Sequence, residues 1–164
     1  MPSGRPHSSR QRGFTYLAAL VIVALLGSGL AAYGELASHA QQREREAELK
    51  WIGGQFREAI GLYYQRTPGS VKRYPQRLED LLQDRRFLNA QRYLRRVYRD
   101  PMTGTTEWGL VQAPEGGIAG VYSLSEARSI SQAVLGQRQY VVQAGALYQD
   151  WKFTYEPPSA SALR

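Results

Sequence analysis

The chain has 164 residues, of which 43% are hydrophobic and 21% charged, and its formal net charge is +7. That length allows one domain of ordinary size and an accessory segment. The absence of cysteine excludes disulfide bonds and thiolate chemistry, and the only two histidines leave few metal ligands. No phosphate-binding loop or nucleophile motif occurs, so we expect no enzyme activity and no cofactor.

The N-terminal 34 residues divide into a basic leader and an uncharged run. Residues 1–13 contain Arg5, Arg10 and Arg12 and no acid, and residues 14–34 carry no charge. A run of about 20 apolar residues matches the hydrocarbon core of a bilayer. Because the bases precede this run, the positive-inside rule predicts a cytoplasmic N-terminus and an outer domain across the membrane.

Two other interpretations of the apolar run are possible. A core helix that is apolar all round would need a much larger domain to cover it. A secretory signal peptide is the second alternative, since Ser38, His39 and Ala40 offer small residues of the kind that precede a cleavage site. The run is longer than the roughly 7–15 residues of a signal-peptide core, which favours a retained membrane helix.

The junction of leader and apolar run resembles the processing site of type IV pilins and type II secretion pseudopilins. Arg12, Gly13, Phe14 and Thr15 stand directly before the run. The resemblance implies cleavage between Gly13 and Phe14 by a prepilin peptidase and N-methylation of Phe14. The fifth mature residue is Ala18, where the family usually has a Glu that neutralises the N-terminus of a neighbouring subunit. This departure favours a minor or tip subunit.

Small residues recur in the second part of the apolar run. Gly27 and Ala31 are four residues apart, as are Ser28 and Ala32. That spacing lets neighbouring membrane helices approach closely, although membrane helices often contain Gly and Ala in any position. We expect these four residues to be helix-packing positions.

The helical pattern continues beyond the apolar run. No proline stands between Pro6 and Pro68, and Glu46 is expected on an exposed face beside Arg43 and Lys50. An apolar residue recurs every three or four positions, which predicts a helix to about residue 66 with one buried stripe: Leu49, Ile52, Phe56, Ile60 and Tyr63. The predicted organisation is leader 1–13, transmembrane half 14–34, periplasmic half 35–66 and globular domain 67–164.

The globular domain reads as mixed α and β. Turn residues and apolar spacing predict a short helix with Leu78, Leu81 and Leu82 inward, a basic helical turn and a hairpin. The short helix is predicted at 74–82 and the basic helical turn at 90–98. The hairpin strands are predicted at 106–111 and 118–124, and further extended pieces at 139–142 and 151–155. The predicted fold is α+β and pilin-like: a long N-terminal helix, its first half transmembrane, packed on a small antiparallel sheet. Residues 74–109 also resemble the outer domain of major pseudopilins.

Calcium is a candidate through the resemblance alone, because major pseudopilins bind it in a loop beyond the sheet. Calcium takes six to eight oxygen ligands, several of them from carboxylates. Asp100 and Glu107 are weak candidates, and acids are sparse after Tyr122. We therefore predict no metal site.

Residues 67–100 contain nine bases and four acids. Three interpretations are open: DNA binding with Tyr74, Tyr93 and Tyr98 stacking on bases, contact with acidic subunits or lipid headgroups, or a solvated face with the tyrosines in the core. The candidate basic surface consists of Lys72, Arg73, Arg77, Arg92, Arg95, Arg96 and Arg99.

The resemblance implies a structural pseudopilin-like subunit of a type II secretion or type IV pilus-like assembly. Such a subunit would cross the bacterial inner membrane once, with its C-terminal domain in the periplasm. Its partners would be prepilin peptidase and other pilin-like subunits. The alternative is a membrane-anchored periplasmic protein that presents its basic surface to an acidic protein or, as a weaker candidate, to nucleic acid.

Overall fold

The computed structural model describes residues 12–135 and 140–158, with only the backbone for 12–15, 26–37 and 140. The fold is α+β, as the sequence predicts. Helix α1 spans Arg12–Gln65, and short 3₁₀ helices lie at Leu78–Leu81 and Tyr148–Asp150. The strands are β1 (Gly109–Gln112), β2 (Ile118–Tyr122), β3 (Ala133–Leu135), β4 (Tyr140–Val142) and β5 (Phe153–Thr154).

The strands form two small antiparallel sheets. One has the order β1-β2-β5 and the other pairs β3 with β4. The β1–β2 hairpin closes where the Ala113 amide donates to the Gly117 carbonyl at 2.9 Å. Gly116 and Gly117 have φ of 91° and 88° there, a left-handed conformation that glycine adopts without strain.

The chain divides into two compact units, residues 1–41 and 42–164. The division falls inside the segment 35–66, which the sequence predicts to be one periplasmic half-helix. In the part of the chain that the structure describes, no helix is both long enough and apolar enough to cross a membrane. Most of the predicted leader, and many side chains of the predicted apolar run, lie outside the described residues.

The core of the second unit forms between α1 and the three-stranded sheet. The predicted apolar stripe of α1 is buried along its whole length, from Leu49 to Tyr63. Gly53 and Gly61 lie so close to β5 and the residue after it that a Cβ would meet the rings of Phe153 and Tyr155 at 2.2 and 2.7 Å. Because glycine has no side chain, the helix backbone can lie directly against these aromatic rings.

The predicted basic helical turn at 90–98 is wrong, since that segment is irregular. Its backbone donors bind another segment instead of the preceding turn: Tyr93 and Leu94 both donate to the Leu81 carbonyl, at 2.9 and 3.0 Å. The first strand also begins later than predicted. The Asp100 amide donates to the Thr105 carbonyl at 2.8 Å and closes a turn before it.

Candidate functional site

The N-terminal part of α1 exposes an apolar surface. Its described side chains from Tyr16 to Leu25 include seven large apolar residues that are each 51–68% exposed: Tyr16, Leu17, Leu20, Val21, Ile22, Val23 and Leu25. Contiguous apolar surface of this kind marks a contact with lipid or with another protein. The sequence predicts this surface, because the exposed residues lie within the uncharged run.

The predicted processing and packing positions lie on the same helix. The backbone is helical at Gly13 and Phe14 and through residues 27–32. Positions four residues apart share one face of a helix, so Gly27 aligns with Ala31 and Ser28 with Ala32. Their side-chain surroundings, and those of Phe14, lie outside the described residues.

Polar side chains cap the C-terminal end of α1, where the last carbonyls have no partner within the helix. Lys72 Nζ donates to the carbonyls of Gln65 and Thr67 at 2.9 and 3.1 Å. The Thr67 hydroxyl donates to the Tyr63 carbonyl at 3.1 Å. Lys72, predicted as part of a binding surface, therefore also caps this helix.

Arg86 joins the loop after the first 3₁₀ helix to the same helix end. It forms an ion pair with Asp84, with 2.6 Å between Nη2 and Oδ2. It also donates to the Tyr63 carbonyl at 3.0 Å and to the Thr67 hydroxyl at 2.8 Å, and its guanidinium carbon lies 3.5 Å from the centre of the Tyr63 ring. A cation is favoured at this negative end of the helix dipole.

The ion pair shifts the titration of both groups. Burial of Asp84 favours its neutral form, but the hydrogen bonds from Arg86 outweigh this and lower the pKa of the carboxyl. Burial likewise opposes the charge on Arg86, and its bonds to Asp84 outweigh that effect and raise the pKa of the guanidinium. In the sequence Arg86 is one of nine bases, and only the nearby Asp84 hints at its structural role.

All seven bases of the predicted surface are accessible to solvent. Lys72, Arg73, Arg77, Arg92, Arg95, Arg96 and Arg99 are all exposed. Of the four acids in residues 67–100, only Glu79 is exposed. Asp80 accepts the amides of Gln76 and Arg77, both at 3.0 Å, Asp84 binds Arg86, and Asp100 is buried. The surface is therefore more basic than the count of charges in the sequence indicates.

The tyrosines of this segment pack in or against the core. Tyr74 is buried, Tyr93 lies edge-on against Tyr63, and Tyr98 contacts Trp51 with 5.5 Å between ring centres. Tyr98 also lies edge-on against Phe56 at 6.2 Å. All three rings therefore have packing partners within the second unit.

Asp100 has a structural role. It is fully buried, one carboxylate oxygen accepts the Ser123 hydroxyl at 2.6 Å and the other accepts the Met102 amide at 2.8 Å. These bonds tie the turn before β1 to the end of β2. Glu107 is exposed, and among the described residues no three His, Cys, Asp or Glu side chains are grouped to hold a metal ion.

A second buried carboxylate joins α1 to the β3–β4 region. The expectation that Glu46 lies on an exposed face is wrong, because only 1% of its surface is accessible. One oxygen accepts the Ile130 amide and the Tyr148 hydroxyl, both at 2.8 Å, and Gln42 donates to the same hydroxyl at 2.8 Å. The i+4 pattern alone could not distinguish this residue from an exposed partner of Lys50.

Burial of Glu46 by itself would raise its pKa. Hydrogen bonds from Ser131, Ile130 and Tyr148 outweigh that effect, and the pKa of the carboxyl lies below its usual value of 4.5. Burial, together with the adjacent carboxylate, raises the pKa of Tyr148 to about 12. At neutral pH the pair is thus an ionised carboxylate and a neutral phenol that donates to it.

Comparison of the whole chain with protein-family models, with curated proteins and with solved structures finds no match. Its function must therefore be inferred from its own residues.

Proposed function

We propose that this chain is a pilin-like structural subunit, a pseudopilin of a type II secretion or type IV pilus-like assembly. The proposal rests on the contrast between the two parts of α1, a single helix of 54 residues. Its first part is uncharged and exposes apolar side chains, while residues 42–65 supply the core of an α+β unit. A long helix of this kind is what the pilin-like fold requires.

The exposed apolar part of α1 needs a non-aqueous environment. Burial of apolar surface is worth about 25 cal/mol per Å², and an uncharged run of 21 residues suits a bilayer of about 30 Å. The same side chains can contact lipid before assembly and neighbouring helices after it. The basic leader supports an orientation with the N-terminus in the cytoplasm and the α+β unit in the periplasm.

The subunit is proposed to be atypical within its assembly. Ala18 offers no carboxylate to pair with the N-terminus of a neighbour, and an unpaired charge in hydrocarbon costs several kcal/mol. A subunit without it suits a position with fewer neighbours below it, such as the tip. Its predicted partners are prepilin peptidase and other pilin-like subunits.

Intact mass spectrometry of the mature protein tests the proposal. The full chain is produced in a bacterium that contains a prepilin peptidase, and we expect a mature N-terminus at N-methylated Phe14. Gly13→Val should block cleavage because the peptidase needs a residue without a bulky side chain before the scissile bond. Gly4→Val, a matched change within the leader, should leave cleavage intact. A mature chain that begins at Gln41, after Ala40, would instead support a secretory signal and overturn the proposal.

A further inference from the structure

The loop between residues 84 and 91 carries a fully exposed aliphatic side chain. Its ends are joined as an antiparallel bridge, in which the Asp84 amide donates to the Gln91 carbonyl at 2.8 Å. Arg86 fixes the near side of the loop to the end of α1. Leu88, in the middle, is 108% exposed, so it projects into solvent without covering any part of the core.

A second exposed aliphatic residue belongs to the adjacent segment 67–73. Val71 is 66% exposed, and the bond from Arg86 to Thr67 joins its segment to the 84–91 loop at 2.8 Å. A shallow cleft of about 460 Å³ lies between them, lined by residues 67–71, Arg73 and Arg86. Leu88 is only two residues from Arg86, a reach of about 7 Å, so the two aliphatic residues stand on segments that Arg86 joins.

Cations without an ion-pair partner surround these aliphatic residues. Arg85 and Arg92 flank Leu88, and Lys72 and Arg73 follow Val71, all of them exposed. Arg95 and Arg96 are exposed a few residues farther on. Within the described residues the single salt bridge is that of Arg86 with Asp84. The surface thus has an apolar tip and a basic rim, and its partner must be anionic.

The chemistry of this surface distinguishes among anionic partners. DNA offers no apolar site for a projecting Leu88, and the rings of Tyr74, Tyr93 and Tyr98 are packed in or against the core. Protein recognition commonly uses a free strand edge, a helix face or aromatic anchors, whereas the 84–91 loop has irregular backbone, its exposed tip is aliphatic, and its one aromatic residue, Phe87, is partly buried beside Arg86. A second copy of the chain that met this surface with its own copy of it would be repelled, because both are basic.

A bilayer with anionic headgroups satisfies both parts of the surface. Apolar side chains can enter the boundary between headgroups and acyl chains, and each Lys or Arg near an anionic membrane adds about 1 kcal/mol. We propose that the 84–91 loop and residues 71–73 form a docking surface for an anionic phospholipid bilayer, with Leu88 and Val71 inserted and the arginines on lipid phosphates. This inference goes beyond the proposed assembly role and does not rest on it.

A fluorophore in the loop tests the proposal, since the chain has no cysteine of its own. The full chain with Asn89→Cys is labelled with an environment-sensitive dye and held in nanodiscs of phosphatidylcholine. It is titrated with vesicles of phosphatidylcholine, alone or with about one third phosphatidylglycerol. We expect a blue shift and at least tenfold tighter binding with the anionic vesicles, and a weaker response at high salt because screening shortens the reach of charges.

If the loop faces the bilayer that holds the chain, anionic nanodiscs alone should produce the same shift. Leu88→Ser should abolish the shift, and Arg85→Gln with Arg95→Gln should weaken binding about tenfold. The matched controls, Leu124→Ser and Arg43→Gln with Lys152→Gln, remove an exposed leucine and two exposed cations elsewhere and should change little. Thermal unfolding of each variant verifies that it is folded.

Three results would overturn the inference: no shift with any anionic bilayer, an equal shift with neutral vesicles, or a shift that persists in Leu88→Ser. If duplex DNA or polyglutamate gives the shift and vesicles do not, the partner is another polyanion and the lipid proposal fails. A chain that does not enter nanodiscs can be titrated directly with the same vesicles, so failure of the proposed membrane anchor leaves this test intact.

Discussion

At the scale of single residues, two of the three buried carboxylates among the described residues join other parts of the second unit to α1. Asp84, through Arg86, joins the 84–91 loop to the end of α1, and Glu46 joins the helix to the β3–β4 region. Each is 1% exposed, and a charge at that depth persists only when hydrogen bonds replace the lost water. Both carboxylates are therefore structural anchors.

Removal of Arg86 should destabilise the second unit strongly. Arg86→Ala leaves Asp84 buried without its ion-pair partner and removes one of the two donors to the Tyr63 carbonyl, so we expect a loss of about 2–4 kcal/mol in the free energy of unfolding. Arg86→Lys should restore only part of this, because an ammonium cannot reproduce the planar two-pronged contact. Urea titrations followed by tryptophan fluorescence measure the effect.

The neighbouring Arg85 is exposed and provides the control. Arg85→Ala should change stability by no more than about 0.5 kcal/mol, as is usual for surface substitutions. Equal effects of the two substitutions would show that Arg86 is not an anchor.

The lowered pKa of Glu46 predicts a specific dependence of stability on pH. Its pKa is lowered on folding, so the stabilisation is fully present above the unfolded value near 4.5 and is lost as the pH falls through the folded value. At pH 7 we expect Glu46→Gln to lower the free energy of unfolding by about 1–3 kcal/mol, since a neutral amide loses the charge-assisted bonds. The difference from the native chain should shrink between about pH 5 and pH 3.

Urea unfolding at several pH values measures this difference, and Glu48→Gln, at an exposed position two residues later, is the control. A Glu46→Gln effect that is the same at pH 7 and pH 3 would contradict the assignment of an ionised, hydrogen-bonded carboxylate.

At the scale of elements, α1 contains two adjacent glycines with opposite surroundings. A Cβ on Gly53 would lie 2.2 Å from the ring of Phe153, while a Cβ on Gly54 would have nothing within 4 Å. Glycine lowers helix stability by roughly 1 kcal/mol relative to alanine at any interior position. For Gly53 the close approach of the sheet explains why that loss is tolerated, whereas for Gly54 nothing in the packing requires it.

The pair yields a prediction with an internal control. Gly53→Ala should destabilise the second unit by about 1–3 kcal/mol, because the helix and β5 must move apart. Gly54→Ala should stabilise it by about 0.5–1 kcal/mol through the helix backbone alone. Thermal unfolding followed by circular dichroism measures both, and a stabilising Gly53→Ala would show that α1 does not pack on Phe153 at this distance.

At the scale of the whole molecule, the two units have different surface chemistry. The first exposes apolar side chains from Tyr16 to Leu25, and the second buries a continuous core and exposes arginines. The proposed pilin-like role requires both: an N-terminal helix that can be buried in a membrane or among other helices, and a polar unit that remains in water. The tests of N-terminal processing and of lipid docking address the two units separately.

The sequence by itself determined the features that depend on local pattern. The charge-free run, the basic leader, the buried stripe of α1 and the β1–β2 hairpin can all be read from composition, a period of 3.6 or turn residues, because each depends on neighbours along the chain. The candidate processing site at Gly13–Phe14 and the basic composition of residues 67–100 are equally local features.

Only the tertiary structure decided which charged residues are anchors and which are surface. Glu46 and Arg86 look like their exposed neighbours in the sequence, and their roles arise from partners up to 102 residues away in the chain. The segment 90–98 has a helical pattern, yet its amides bind Leu81, because a long-range partner can replace the helical one. Burial of Asp84 and Asp100, and of the tyrosine rings, left an outward surface of arginines that no count of charges could reveal.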